Sequence, residues 1–269
     1  MKMLTGVMYP TSGEVTVLGF TPWRQRSKYV SNIGAVFGQK SQLIWDIPPQ
    51  DAFYMNKAIY DIKDDEFKKI LASMVELFAV GDVIQKPTRL LSLGERMKCE
   101  FIMAMLHNPQ IVFLDEPTIG LDVIAKTKIR NFIKEMNGRG VTFILTTHDL
   151  EDVEKLAQRV IVINRGEIVF DNDLTALKNH MGHKKRIRII SKDPLPPIEA
   201  KGVQIIEQSS EFETFLELDN EIISTQSFIS YLGTVGSIAD ISIQEPPIEE
   251  VIKMLYENNI NMKGDHNNG

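Results

Sequence analysis

From Ser12 to about Asp173, short aliphatic and β-branched runs alternate with longer segments whose apolar positions recur every three or four residues. That alternation predicts an α/β domain with a mainly parallel sheet. The predicted strands are EVTVLG (Glu14 to Gly19), IGAVFG (Ile33 to Gly38), IVFLD (Ile111 to Asp115), TFILTT (Thr142 to Thr147) and VIVI (Val160 to Ile163), the last turning through NRG into EIVF as a hairpin. Between the second and third lies a helical block from about Pro49 to Leu106, with Phe67, Ile70, Leu71, Met74, Leu77 and Phe78 on one face. So long an insertion predicts a helical subdomain, about residues 47–107, rather than one crossover.

After a helix at Leu174 to Asn179 the pattern changes, and HMGHKK leads into the strand RIRIIS and the stiff KDPLPP. A first domain over 1–179 and a small α+β unit over 184–260 are expected. The second unit holds the strands VQIIE, TFLELD and ADISIQ and a helix, PPIEEVIKMLYENN, whose prolines sit at its first turn. Residues 261–269, NMKGDHNNG, are expected to be a disordered tail.

Composition narrows the classes. The chain has 269 residues, ample for a buried core, and a net charge of −6, which argues against a nucleic-acid surface dominating it. Its one cysteine, Cys99, excludes an intrachain disulfide. No apolar run approaches membrane-spanning length, and MKMLTGVMYP lacks a secretory apolar block. A cytoplasmic chain that meets any membrane through a partner is therefore expected. The basic run KKRIR, Lys184 to Arg188, reads as a solvated charge run, with anionic lipid as its other possible use.

The chemistry gathers at strand ends. Asp115 and Glu116 follow an apolar run, at the carboxyl end of a strand, where ligands bind in open α/β sheets. Such a pair suits phosphoryl transfer to water, the first residue holding Mg²⁺ and the second activating the water. His148 ends a second apolar run and is placed to reach the same site. LSLGERMKCEF, Leu91 to Phe101, sets Ser92 and Gly94 before a helix, either as an anion site or as an ordinary N-cap with Glu95 in the first turn. Gln39 follows another strand and offers an uncharged oxygen to a Mg²⁺ or water shell.

In their order and spacing these motifs resemble the ATP-binding subunit of an ABC transporter, of the exporter-type bacterial group with a C-terminal accessory segment. GQKSQL resembles the Q-loop, LSLGE the signature, IVFLDEP the Walker B strand, TIGLD the D-loop and TTHD the switch histidine. The resemblance implies a P-loop NTPase-type ABC nucleotide-binding domain with a helical subdomain, working with ATP and Mg²⁺. It implies that Asp115 and Gln39 hold Mg²⁺, Glu116 is the general base and His148 contacts the γ-phosphate. Leu91, Ser92, Leu93, Gly94 and Glu95 form the signature, with Ser92 and Gly94 serving the nucleotide of the opposite subunit in a head-to-tail pair, and Asp122 bridges the two sites. A membrane permease is the implied partner, and the inner face of the cell membrane the implied place. Leu93 replaces a glycine of the family pattern and Glu95 a glutamine; a carboxylate near nucleotide is unfavourable unless it points away, so altered kinetics rather than lost function is expected of these two changes.

No G-x-x-x-x-G-K-[ST] run, the phosphate loop of this family, occurs in the 269 residues. The family pattern places it just before a helix that here is expected to begin at Met1, so the domain is expected to be N-terminally truncated. Lys2 lies beyond the loop position and does not replace its lysine. Loss of roughly four charge-assisted hydrogen bonds, each about 1.5–3 kcal/mol, removes on the order of 6–12 kcal/mol, at least ~10⁴-fold in affinity. The chain as written is thus expected not to bind or hydrolyse ATP appreciably. Two explanations compete: an internal methionine taken as the start, or a short non-hydrolysing partner of a complete subunit.

Overall fold

Three of the predicted strands pair side by side in the computed structural model, which describes residues 1–38, 40–179 and 184–264, with side chains as far as Tyr256. The chain divides into two units, Met1–Leu156 and Ala157–Gly269. In the first, α1 (Arg26–Val30) leads into β1 (Ile33–Phe37), and α2 (Pro49–Ile59), α3 (Asp64–Phe78) and α4 (Leu93–Met105) follow. Then come β2 (Ile111–Asp115), α5 (Val123–Gly138), β3 (Thr142–Thr146) and α6 (Leu150–Leu156).

The sheet is parallel in the order β1-β2-β3, and Asp115 lies opposite Phe37 on one side and Thr146 on the other. Central β2 is covered on both faces: Val112, Phe113 and Leu114 are all fully buried, as the uninterrupted apolar run requires of a parallel strand. The helical block packs into the same core. Phe132 of α5 lies 4.6 Å from Phe78 of α3 and 5.5 Å, edge-on, from Phe101 of α4. Local chemistry supports each helix: Asp64, Asp65 and Glu66 sit in the first turn of α3, where the helix dipole favours them, and Asp122 caps α5.

Two expectations near the start of the chain are corrected. EVTVLG makes no strand; Val17 and Phe20 bond only to each other, because Leu18 (φ 51°) and Gly19 (φ 77°) reverse the chain at once. No helix begins at Met1 either. One turn is bonded, Thr5 N–H to Met1 C=O, before Gly6 at φ 71° takes the backbone left-handed, as at a helix C-terminus.

The second unit opens with the hairpin β4 (Arg159–Asn164) and β5 (Glu167–Asp173), turning through Arg165 and Gly166, both at positive φ, and continues into α7 (Leu174–Asn179). An antiparallel sheet follows, β7-β8-β6-β9, made of β6 (Lys184–Ser191), β7 (Val203–Ser210), β8 (Glu213–Asp219) and β9 (Ile238–Gln244), with α8 (Thr225–Val235) between β8 and β9 and α9 (Ile248–Gly264) last. Strand alternation buries Ile187 and Ile189 of β6 with Leu216 and Leu218 of β8 and Phe228 and Leu232 of α8. The basic run is paired within the unit: Lys184 meets Glu217 at 2.6 Å, Arg188 meets Glu213 at 2.6 Å, and Arg186 meets Glu250. The helix of α9 continues through 261–264, and the rest of the expected tail lies outside the described residues.

Gly38, one residue past β1, donates its N–H to Asp115 C=O at 2.8 Å. A Cβ on Gly38 would lie 2.1 Å from the Glu116 carbonyl oxygen, so the close approach of these two chain segments depends on glycine. Gly38→Ala is expected to cost about 1–3 kcal/mol, read as a lower urea midpoint at unchanged m-value; an unchanged midpoint would show that the approach is not constrained.

Candidate functional site

β2 and β3 end level with each other, so whatever follows them in sequence meets in space. Asp115, the last residue of β2, accepts the Thr146 hydroxyl at 2.5 Å on Oδ1, leaving Oδ2 for another donor or a cation. Glu116 turns the backbone out of the sheet at φ 54°, a left-handed conformation that costs a non-glycine residue about 1–2 kcal/mol. Its N–H is held by Thr146 C=O at 2.9 Å. The turn aims the Glu116 carboxylate at the loop beyond β3, where His148 Nδ1 lies 2.9 Å from Oε2. His148 is otherwise open to solvent, its side chain 73% exposed. The hydrogen bond and charge of Glu116 hold the imidazole above its ordinary value of 6.5.

The signature segment is a helix start. Ser92 caps α4 by accepting Glu95 N–H at 3.2 Å, and the Glu95 carboxylate reaches back to Ser92 N–H at 2.8 Å, a capping box. That bond to Ser92 keeps Glu95 below the usual carboxylate range. Of its two candidate uses, the N-cap is the one observed, and the Ser92 hydroxyl retains its own proton to donate. The first turn packs on the D-loop. A Cβ on Gly94 would sit 3.3 Å from Ala125 Cβ, and one on Gly120 would sit 3.0 Å from Leu93 Cδ2. Asp122 accepts Ala125 N–H at 2.8 Å, so its carboxylate caps α5.

The structure therefore brings Asp115, Glu116 and His148 together, and sets Leu91, Ser92, Leu93, Gly94 and Glu95 beside the turn that ends in Asp122. Gln39 lies outside the described residues. Glu100 was not singled out by its spacing, yet it anchors the segment after Gln39: its buried carboxylate accepts the Ser41 hydroxyl at 2.5 Å and the N–H groups of Gln42 and Leu43 at 3.0 and 3.4 Å. Burial pushes this carboxyl up, against the pull of those hydrogen bonds. Its signal in the sequence is an acid inside the apolar run of α4. Thr146 was legible only as strand, and Arg130 and Asp152, both buried, carried no motif. Cys99 is buried, its thiol pushed up to about 12, and takes no part.

Mg²⁺ takes few protein carboxylates and completes its octahedron with phosphate oxygens and water. Asp115, with one oxygen on Thr146, matches that donor set, and no group of three or more His, Cys, Asp or Glu side chains suited to a metal occurs among the described residues. The residues present fit a magnesium ion brought with a nucleotide rather than one caged by protein alone.

A parallel sheet carrying an acidic pair and a histidine at adjacent strand ends, with a capped helix start beside the intervening turn, is an arrangement of the P-loop NTPase fold, as the solved structure below bears out. Residues 1–119 match the model of the ABC transporter family. The chain is 27% identical over 177 residues to the ABC transporter ATP-binding protein NatA of Bacillus subtilis (strain 168), covering 66% of this chain and 72% of NatA. It is 26% identical over 251 residues to the uncharacterized ABC transporter ATP-binding protein YhaQ of the same organism, covering 93% of this chain and 82% of YhaQ. A solved structure of an ATP-binding subunit of an ABC transporter superposes with a TM-score of 0.62 at 19% identity, over 67% of this chain and 75% of that one, a likeness of fold.

The Glu116–His148 pair has a pH signature. A raised imidazole pKa means that the charged pair stabilises the fold at acid pH and that its contribution is lost as pH rises through the folded-state value. His148 is expected to titrate above 6.5 by NMR, and Glu116→Gln to bring it back toward that value; equal titration in both proteins would remove Glu116 as the cause.

Proposed function

We propose that this protein is the ATP-binding subunit of an ABC transporter, coupling ATP hydrolysis to substrate movement by a separate membrane permease. The observation that carries this conclusion is the meeting of Glu116 and His148 at 2.9 Å across the ends of two adjacent parallel strands, beside Asp115. Mg²⁺, when bound with ATP, neutralises charge on the phosphate oxygens that are transferred. Asp115 would hold it with the carboxylate oxygen not bonded to Thr146, and Gln39 would supply a further oxygen. Glu116 takes the proton of the attacking water on its carboxylate, for which His148 must first release it. His148, so freed, donates to the γ-phosphate.

Ser92 and Gly94 act on the opposite subunit of a head-to-tail dimer, where the Ser92 hydroxyl proton and the free N–H groups of the first turn of α4 suit an anion. Asp122 bridges the two sites. Ile44, Trp45 and Leu90 expose an apolar surface in the first unit, stitched by the bonds of Arg89 N–H to Trp45 C=O at 3.0 Å and Thr88 N–H to Ile47 C=O at 3.0 Å. That surface suits docking of a permease segment. Among the described residues no helix is long and apolar enough to cross a membrane, and we assign the spanning part to the permease, with this chain at the cytoplasmic face. We assign residues 1–179 to the nucleotide-binding domain and 184–260 to an accessory unit.

A second reading is a non-hydrolysing interaction protein that lends its signature helix to a complete subunit. The observation that favours it is the exposed capping box at Ser92, a helix start that can serve a partner's nucleotide whatever this chain itself binds.

Calorimetry with Mg-ATP separates the two. The 269-residue chain alone is expected to bind at least ~10⁴-fold more weakly than a subunit that carries a phosphate loop. Tight, Mg²⁺-dependent binding would overturn that expectation. With a phosphate loop supplied ahead of Met1, turnover is expected to appear, and Glu116→Gln to abolish it while trapping an ATP-bound dimer. No turnover in the supplemented chain would leave the interaction protein.

A further inference from the structure

Behind the candidate site lies a cluster of buried charge that none of the roles above uses. Asp152, in α6, is fully buried, and so cannot touch a ligand. Its Oδ1 accepts Arg130 Nε at 2.6 Å, with Nη2 of the same guanidinium in ion-pair contact at 2.6 Å, and its Oδ2 accepts the Thr118 hydroxyl and, at 3.5 Å, the Thr147 hydroxyl. Thr118 is 1% exposed and the Arg130 side chain 4%. The donors come from three segments. Thr118 stands two residues after Glu116 in the D-loop, Thr147 immediately precedes His148, and Arg130 rides on α5, whose cap is Asp122.

A second tie runs parallel to the first. Asp149, immediately after His148, pairs with Lys126 of α5 at 2.5 Å and lies 3.6 Å from Arg130 Nη2, while its N–H donates to Thr147 Oγ1 at 2.9 Å. Lys126 and Arg130 are four residues apart and so share one face of α5. Arg130 also reaches Glu151 at 2.9 Å. His148 is thus flanked by Asp149, paired with α5, and by Thr147, which reaches the Asp152 carboxylate, while Thr118, two residues after Glu116, is bonded to that same carboxylate.

We propose that Asp152 is a positioning residue that joins the D-loop, α5 and the histidine loop into one rigid frame, so that displacement of Asp122 is passed to the Glu116–His148 pair. The inference rests on the ABC reading for the roles of those three residues, while the frame itself rests on the contacts alone. A buried carboxylate with three donors is left uncompensated, away from water, when any one of them shifts while the frame stays closed. The segments therefore move together or the cluster breaks.

Hydrogen exchange on the full chain without nucleotide tests the coupling apart from any ATP chemistry. Thr118→Val removes one donor from Asp152 on the D-loop side, and the readout is the opposite side: the amides of Asp149, Glu151 and Asp152. Exchange there is expected to speed up about tenfold or more, the scale of one hydrogen bond to a charged group, with β2 amides unchanged. Thr118→Ser, which keeps the hydroxyl, is expected to restore the native rates. Asp152→Asn is expected to speed exchange at Ile119 and Leu121 in turn; should that protein not fold, the two Thr118 variants decide. Acceleration confined to the D-loop, or uniform over the sheet, overturns the proposal. Failure of ATP hydrolysis in the chain supplied with a phosphate loop, with the exchange pattern as expected, would overturn the functional assignment and leave the frame.

Discussion

The burial of β2 is the constraint on which the rest depends. Val112, Phe113 and Leu114 have neighbours in the sheet on both edges and side chains over both faces, so the first polar side chain of that strand emerges only where the sheet ends. The position of Asp115 follows from the length of an apolar run. Parallel pairing with β3 in fixed register then brings Thr146 level with Asp115, and the loop beyond it level with Glu116. A one-residue slip would carry Thr146, and His148 with it, out of reach.

The carboxylates around the site are held in different ways, and environment rather than residue type assigns their work. Asp122 and Glu95 are spent largely on helix starts, where backbone N–H groups want a negative partner. Glu100 and Asp152 are sealed in and tie loops to helices. Asp115 and Glu116 stand half-buried at a strand mouth with a histidine, positioned by the others but not enclosed by them. The departures at Leu93 and Glu95 find local physical roles here: Leu93 packs over Gly120, and Glu95 closes its own cap.

Legibility in the sequence followed the range of the forces involved. IVFLD, IGAVFG and TFILTT were readable because three apolar runs of strand length can do little else than pair in a core, and the helices over 49–106 because their periodicity is local. EVTVLG had the same propensity but lacked a neighbouring strand among the described residues, and the backbone reversed at Leu18. Asp115, Glu116 and His148 stood out by position at run ends. Asp152 and Arg130 did not, since an acid in one helix and a base in another declare a pairing only when tertiary packing has removed water from both. The basic run Lys184 to Arg188 was ambiguous for the same reason, its acidic partners lying on other elements.

Glu116 occupies a backbone conformation in which glycine would be at ease and glutamate is not. Stability and chemistry therefore pull this position in opposite directions. Replacing it with glycine would relieve the backbone at the cost of the Glu116–His148 pair. Of the positive-φ non-glycine residues among those described, Glu116 is the one that stands at a strand end against a histidine, so the same turn that strains the backbone also sets the direction of the carboxylate.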